Sequence, residues 1–230
     1  MPRIISTFFS KARKRNVQIL FIFTIIINFN KIHLNQPLIY GTIYPMNKFL
    51  CCIFLISATT TANADTNPFF NGYDNQIAVN FGWGVDSGFL LPAPVRWAPF
   101  IMLNAGYSQP TEFFRLPARR TLNITQTLGM GTSRGWHWDK YTIPIVTLSE
   151  DVILAHGKNW YFYSGLAVGM QAQQNERIGS KLLFGFKLGT GYKLSECTHL
   201  ELFMQHYSNG NTAPENNSYA FFGTGLTYSF

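Results

Sequence analysis

A histidine and a serine near the carboxyl end of the chain could together hydrolyse an ester. They stand two positions apart in the run Gln205-His206-Tyr207-Ser208-Asn209-Gly210. A serine hydroxyl becomes a good nucleophile when a neighbouring base removes its proton, and an imidazole is the usual base. On a β-strand, residues i and i+2 share a face with Cβ atoms about 6–7 Å apart, close enough for this chemistry. Because His-x-Ser is common by chance, the strands that hold the pair must supply the rest of the argument.

The chain from residue 65 onward has the pattern of β-strands. It contains no apolar stretch of about 18 residues that would cross a membrane as a helix. The clearest alternation runs from Lys181 to Leu194, where one face is apolar: Leu182, Phe184, Phe186, Leu188, Tyr192 and Leu194. A barrel in lipid turns such a face outward and fills its narrow interior with the opposite face. We therefore expect Lys181, Lys187 and Lys193 to form an interior ion-pair network with Glu201.

Eight such segments predict an all-β fold, an eight-stranded antiparallel transmembrane β-barrel of the outer membrane. The segments cover residues 75–86, 95–108, 119–131, 141–156, 159–173, 179–194, 198–208 and 218–230. With both termini in the periplasm, the links near 156–159 and 195–198 are short periplasmic turns, and the links 87–94, 132–140 and 209–217 are longer outer loops. The link 109–118 departs from this pattern, because it is predicted to be both long and periplasmic.

The parity of the seventh segment places the candidate pair on the outside of the barrel. His206 and Ser208 share their face with Leu200, Leu202 and Met204, which is the lipid face by the alternation above. Polar side chains that face hydrocarbon need a functional reason. The strand runs away from the periplasm, so the pair reaches the level of the outer leaflet. This leaflet is lipopolysaccharide in such membranes, and the pair would face the acyl esters of lipid A.

The last 28 residues, FMQHYSNGNTAPENNSYAFFGTGLTYSF, resemble the carboxyl-terminal signature of the PagL family of lipid A 3-O-deacylases, also called acyloxyacyl hydrolases. The shared features are a His-x-Ser-Asn run on the penultimate strand, a short loop with Pro and Asn, and a last strand that ends in Phe. The rest of the mature chain agrees with the family in length and pattern. The resemblance implies an eight-stranded outer-membrane barrel whose active site opens on its lipid-facing side.

The same resemblance assigns roles in removing the 3-linked acyl chain of lipid A. His206 corresponds to the general base and Ser208 to the nucleophile, while Asn209 and the backbone N–H of Gly210 are candidates to stabilise the oxyanion. The family pattern has a Glu just before the Ser-Tyr pair of the last strand, where this chain has Asn217. The third catalytic member is therefore either Asn217, which the alignment favours, or Glu215 from the loop.

The first 64 residues have the pattern of export signals. Residues 46–64 read as a secretory signal peptide, with an apolar run after Lys48 and cleavage expected after Ala64. Residues 1–45 are interpreted as an upstream extension, and residues 65–230 as the outer-membrane barrel. Two cysteines fall inside the signal peptide, so Cys197 is alone in the mature chain and no intramolecular disulfide is expected.

The charge distribution argues against a nucleic-acid partner. The net charge of +7 arises in residues 1–64, and residues 65–230 carry 11 basic and 11 acidic residues. No cofactor is expected, and no metal site either, because His156 and His199 have no ligand-spaced partners. The expected partners are lipopolysaccharide as substrate and the outer membrane, and a homodimer is left open. The alternative to an ester hydrolase is a non-catalytic small barrel with a structural or adhesive role.

Overall fold

In the part of the chain that the structure describes, nine antiparallel strands form and eight of them close into a barrel. The computed structural model describes residues 59–61 (backbone only), 67–85, 96–129 and 142–230. The strands are β1 (Thr59–Thr61), β2 (Gln76–Val85), β3 (Trp97–Phe113), β4 (Leu116–Gly129), β5 (Pro144–His156), β6 (Trp160–Gln171), β7 (Leu182–Lys193), β8 (Thr198–Ser208) and β9 (Tyr219–Ser229). Strands β2 to β9 pair in chain order, and β9 returns to pair with β2. The described residues include no helix long and apolar enough to cross a membrane.

The closure of the ring fixes how steeply the strands are inclined. One row of paired residues passes through every strand in turn: Val85, Ala220, His206, Phe186, Leu166, Glu150, Arg120 and Gln109. The row ends at Gln109, and its neighbour Ser108 pairs with Gln76, so continuing the register brings the row back to β2 at position 75. This position is ten residues before Val85, where the row started. For eight strands, a stagger of this size corresponds to a tilt of about 40° from the barrel axis. The barrel is therefore narrow and filled by side chains.

The two ends of the barrel differ in their links. At one end, called the turn end, residues 114–115, 157–159 and 194–197 connect the strands. At the other, called the loop end, the described connecting residues are 172–181 and 209–218. The turns at 157–159 and 194–197 and the loop over 209–217 agree with the sequence prediction, while the predicted loops 87–94 and 132–140 lie outside the described residues. Short turns at one end and longer loops at the other are typical of outer-membrane barrels.

The prediction of a long link over 109–118 is wrong. β3 continues to Phe113 and β4 begins at Leu116, so only Phe114 and Arg115 form the turn. Both have positive φ, 47° and 65°, as a type I′ hairpin turn requires. The link was predicted because Pro110 usually interrupts a strand. However, β3 has no β2 partner beyond Ser108, and proline is tolerated at such an edge position.

The outer surface is apolar and the interior is polar, the reverse of a water-soluble barrel. Alternate side chains of β2 are exposed, with Val79 at 69%, whereas Gln76 and Asn80 between them are buried. The same alternation continues around the ring, and the exposed apolar side chains include Leu103, Ile124, Val146, Leu202 and Leu226. An apolar wall of this kind faces lipid.

The interior ion-pair network has a different centre from the one expected. Its cation is Arg119, whose guanidinium donates two hydrogen bonds to Glu201 (2.6 and 2.9 Å) and one to Asp151 (3.0 Å). Glu201 also accepts from the hydroxyls of Tyr161 (2.6 Å) and Tyr163 (2.8 Å). The expected lysines do not form the ion pairs with Glu201.

Each of the three lysines has its own reason to be absent from those pairs. The ammonium of Lys187 points inward but lies 4.7 Å from the ring centroid of Phe203 and 5.5 Å from that of Tyr163. Lys181 is exposed beside the loop end, and Lys193 is half-buried at the turn end. Only the part of the expectation that places Lys187 and Glu201 inside the barrel is correct.

Apolar clusters close the interior above and below this network. Near the loop end, a cluster is built around Phe100, Phe203, Tyr207, Tyr219 and Phe221. At the turn end, the segment 67–75 folds back, and the ring of Phe69 lies 4.2 Å from the Arg119 guanidinium. The segment, called the plug, is tied to the barrel by Asn67, which donates to the Ala118 carbonyl (2.6 Å). The packed lumen leaves the outer wall as the surface on which a site can form.

Candidate active site

The structure places His206 and Ser208 on the outer wall, near the loop end of β8. On this strand Leu200 and Leu202 are 37% and 56% exposed, whereas Glu201 and Phe203 between them are buried. The alternation continues without a bulge through the last residue of the strand, so His206 and Ser208 share the face of the leucines. Their direction agrees with the parity expected from the sequence.

The wall around the pair is apolar. His206 is paired with Phe186 on β7 and with Ala220 on β9, and Ser208 is paired with Phe184. Ala220 is only 4% exposed although it faces outward. The Nδ1 atom of His206 is shielded from solvent. The polar pair therefore lies in surroundings of low polarity, where an acyl chain can pack against aromatic side chains.

The two side chains share a face but are not joined by a hydrogen bond. The hydroxyl of Ser208 has no hydrogen-bond partner among the residues that the structure describes. Two residues along a strand separate the Cβ atoms by about 6–7 Å, which leaves the reacting atoms to be brought together by rotation of the side chains. Catalytic hydrogen bonds are often loose before substrate binds, so the geometry is compatible with proton transfer but not yet set for it.

Asn209 organises the loop that follows β8. Its side chain is fully buried, and its Nδ2 group donates to the carbonyls of Glu215 (2.8 Å) and Ala213 (3.2 Å). Its Oδ1 accepts from the backbone N–H of Asn211 (2.8 Å), and its own backbone N–H donates to Asn216 Oδ1 (3.0 Å). Both amide hydrogens of Asn209 are therefore in use. In this arrangement Asn209 supports the loop and has no free donor for an oxyanion, contrary to the sequence expectation.

Gly210 has the backbone conformation that the other oxyanion candidate needs. Its φ is 61°, a left-handed value that glycine adopts readily, and Asn211 follows at 65°. In the described part of the chain, the backbone N–H of Gly210 has no hydrogen-bond partner. A half-buried N–H two residues after the serine remains available to an incoming oxygen.

Glu215 and Asn217 contact the neighbouring loop, the residues between β6 and β7. The Glu215 carboxylate lies against Gly179, where a Cβ would collide with Oε2, and its carbonyl accepts from the Gly179 N–H (2.9 Å). The backbone N–H of Asn217 donates to the Arg177 carbonyl (2.7 Å), and its Nδ2 reaches the Glu176 carbonyl at 3.5 Å. Both side chains are exposed, and within the described residues neither forms a hydrogen bond to His206. Of the residues predicted for the site, His206, Ser208 and Gly210 thus lie together at the end of β8, whereas Glu215 and Asn217 face the neighbouring loop.

The link between the two outer loops was missed by sequence reasoning. An isolated β-bridge joins Ile178 to Asn216, and the Arg177 guanidinium donates to the Ser218 carbonyl (2.9 Å) while lying 4.8 Å from the Phe100 ring centroid. The Asn-Gly pair after a strand is a turn signal, and it could have indicated a structural role for Asn209. Contacts between loops of different hairpins leave no comparable local signal.

Comparison with known proteins links this site to one family. The family model described as "Lipid A 3-O-deacylase (PagL)" matches residues 104–229, which include every residue of the candidate site. The crystal structure of the outer membrane enzyme PagL superposes with a TM-score of 0.50 at 13% identity, covering 67% of this chain and 99% of that one. The amino-terminal β-barrel domain of Pseudomonas aeruginosa OprF is also similar, with a TM-score of 0.45 at 11% identity and coverage of 69% and 98%. No curated protein matches the sequence.

Proposed function

Since the chain belongs to the PagL family of lipid A 3-O-deacylases, we propose that it is a serine ester hydrolase that removes the 3-linked acyl chain of lipopolysaccharide. The observation that carries the proposal is the outward direction of His206 and Ser208 on an apolar wall near the loop end. A soluble substrate would be better served by a cleft in the lumen or loops. An esterase pair on the lipid-facing wall suits an ester that is itself part of a membrane.

In the proposed reaction, Ser208 Oγ attacks the ester carbonyl carbon while a ring nitrogen of His206 removes the hydroxyl proton. The tetrahedral oxyanion is stabilised by the backbone N–H of Gly210; loss of one such donor typically slows an enzyme about 100–1000-fold. As the C–O bond breaks, the imidazolium returns the proton to the departing sugar oxygen. A water molecule, deprotonated by His206, then hydrolyses the acyl-serine and releases the fatty acid. No cofactor is required.

The third member of the site is proposed to be Asn217, with Glu215 as the other candidate. Either side chain would have to leave its contact with residues 176–179 to orient the imidazole. Both lie on the exposed surface of the loop, so rotation requires no repacking of the barrel core. Asn209 is proposed to act as a positioning residue, because its hydrogen bonds shape the turn that presents Gly210.

The proposed location is the outer membrane of the cell, with the loop end outside and the turn end in the periplasm. Longer outer loops and short periplasmic turns are the usual arrangement. This orientation puts the pair in the outer leaflet, beside lipid A. Export is proposed to use residues 46–64, and cleavage after Ala64 would remove β1 but leave the eight-stranded ring intact, since β1 pairs only with β3.

The proposal is tested by expressing Ser208→Ala in a bacterium whose lipid A retains the 3-linked acyl chain and analysing lipid A by mass spectrometry. Wild type is expected to remove the chain and the variant to leave it. The matched control is Ser164→Ala, another outward-facing serine, on β6. Equal deacylation by wild type and Ser208→Ala would overturn the assignment, provided that both variants are folded in the membrane.

The alternative is a non-catalytic barrel, in which the pair only ends the strand. It is favoured by one observation, the missing hydrogen bond at the Ser208 hydroxyl within the described residues. Under this alternative, wild type and Ser208→Ala leave the same lipid A, with no loss of the 3-linked chain in either strain. N-terminal sequencing of the membrane protein separately tests the expected start at Asp65.

A further inference from the structure

A cationic cavity lies at the opposite end of the molecule from the candidate active site. Its volume is about 180 Å³, large enough to hold several water molecules. It is formed where the plug meets the turn between β5 and β6 and the end of β7. The walls contain two lysines, Lys158 and Lys193, together with His156.

The charged side chains of this cavity have no anionic partner in the described part of the chain. Neither Lys158 nor Lys193 forms an ion pair there, and no carboxylate contributes to the described lining. The nearest buried carboxylate network is satisfied internally, since Glu201 is held by Arg119 and two tyrosines. Two positive charges that share a cavity without counterions attract an anion from outside the protein.

The remaining walls are fixed by their own hydrogen bonds. Asn71 of the plug donates to the Glu196 carbonyl (3.1 Å) and lies 2.7 Å from His199 Nε2. The turn is closed by the Gly157 N–H, which donates to the Trp160 carbonyl (2.8 Å), and the Lys193 N–H donates to the Asn159 carbonyl (2.8 Å). The backbone of these walls is therefore held in place by the fold, while the lysine side chains extend from it.

One wall places the cavity at the level of lipid headgroups. Trp160 lines it and faces outward on β6, 48% exposed, and its strand partner Tyr192 is 53% exposed. Outward tryptophan and tyrosine at the end of a barrel strand mark the membrane–water interface. A basic pocket beside such a belt is suited to the phosphate of a lipid headgroup.

We infer that this cavity binds the phosphate group of an anionic glycerophospholipid in the leaflet at the turn end, held by Lys158 and Lys193. The inference uses the membrane orientation of the barrel but not the hydrolysis of any ester. It assigns the two ends of the molecule different lipids: the loop end reacts with an acyl ester, and the turn end retains a phosphate. A free phosphate ion would be held by the same chemistry and is distinguished below.

The test is native mass spectrometry of the protein as purified from outer membranes in detergent, with phosphatidylglycerol or phosphatidylcholine added. Wild type is expected to retain one phosphatidylglycerol in preference to phosphatidylcholine. Each lysine near a lipid surface contributes about fivefold, so Lys158→Gln and Lys193→Gln should each weaken retention about fivefold and the double variant roughly 25-fold. Lys181→Gln, an exposed lysine beside the loop end, is the matched control and should change nothing.

Three outcomes would overturn the inference. One is equal retention of the two lipids by wild type, and another is a loss in Lys181→Gln as large as in the double variant. The third is displacement of phosphatidylglycerol by millimolar inorganic phosphate, which would make free phosphate the occupant. Retention that resists inorganic phosphate and is lost in the double variant supports a lipid. Because Ser208→Ala leaves the cavity unchanged, the same measurement on that variant separates lipid binding from catalysis.

Discussion

Replacing Glu201 by Leu should cost more stability than any single change on the outer wall. The Glu201 carboxylate is 1% exposed and accepts four hydrogen bonds, two from Arg119 and one each from Tyr161 and Tyr163. A leucine accepts none of them. The four donors lie on two other strands, β4 for Arg119 and β6 for the two tyrosines. Arg119 also bonds to Asp151 on β5, so the change removes the main polar tie across the lumen.

The size of the effect follows from what is left behind. The buried Tyr163 hydroxyl loses its acceptor, at about 1–3 kcal/mol, whereas the Tyr161 hydroxyl still lies 3.2 Å from His199 Nδ1. Arg119 keeps Asp151 and Gln76, so its charge is not left alone. Breaking a buried pair by removing one partner typically costs about 3–5 kcal/mol, and we expect a loss of about 4 kcal/mol in the free energy of unfolding. Glu201→Gln keeps one acceptor oxygen and should lose about half as much.

The assay is denaturant unfolding of the barrel from phosphatidylcholine vesicles, followed by tryptophan fluorescence and by the mobility of unboiled protein in gels. Arg119→Met and the double variant Arg119→Met/Glu201→Leu complete a mutant cycle, and the coupling energy should be about 2 kcal/mol or more. Arg120→Met is the control on the outer wall, where Arg120 is 36% exposed and forms an ion pair with the buried Glu150 (3.0 Å). Glu150 keeps its hydrogen bond from Thr111, so a loss of about 2 kcal/mol, smaller than for Glu201→Leu, is expected. A loss below about 1 kcal/mol for Glu201→Leu, or strictly additive single changes, would refute the reasoning.

Two further predictions concern the site loop and the turn end. Asn209→Ala should lower lipid A deacylation at least tenfold by loosening the loop, without loss of the barrel in gel-mobility assays, because all its contacts lie within the loop; activity equal to wild type would contradict its role in presenting Gly210. Hydrogen bonds from Ser195 and Thr198 lower the pKa of the Cys197 thiol, so more of it is thiolate at neutral pH. A large maleimide reagent should therefore label Cys197 faster in the wild type than in Ser195→Ala. That labelling should occur only after the outer membrane is permeabilised; labelling of intact cells would reverse the proposed orientation.

The strand pattern was predictable because it is local. Seven of the eight segments read from the alternation agree with the structure to within three residues at each end, including β8 at both ends. The alternation of apolar and polar residues indicates which face of a strand each residue occupies, and it recurs along every strand because one face of each strand is apolar. The exception is the β3–β4 hairpin, where the turn residues are Phe114 and Arg115. Positive φ at both is uncommon for such residues, so no sequence rule based on Asn-Gly or Asp-Gly turns would find it.

Partners across the lumen were not predictable in the same way. Parity correctly placed Lys187 and Glu201 inside, but which cation meets Glu201 depends on the height of each strand around the ring. The ten-residue stagger brings Arg119, 82 positions earlier in the chain, to the same level as Glu201. That stagger is a property of the closed ring, so the pairing is fixed only when all eight strands are in register.

In the candidate site too, some features follow from local sequence and others depend on contacts between distant residues. The positions of His206 and Ser208 follow from strand parity, whereas the roles of Asn209, Glu215 and Asn217 depend on how two outer loops meet. An isolated bridge between Ile178 and Asn216 joins the two loops, while the amide of Asn209 donates to carbonyls of its own loop. In the proposed mechanism, Ser208 is held by the paired strands of the barrel wall and the N–H of Gly210 by the hydrogen-bonded loop that follows it. The proposed partner of the imidazole, Asn217 or Glu215, lies on the exposed surface of that loop, so it is the group that would have to move when substrate binds.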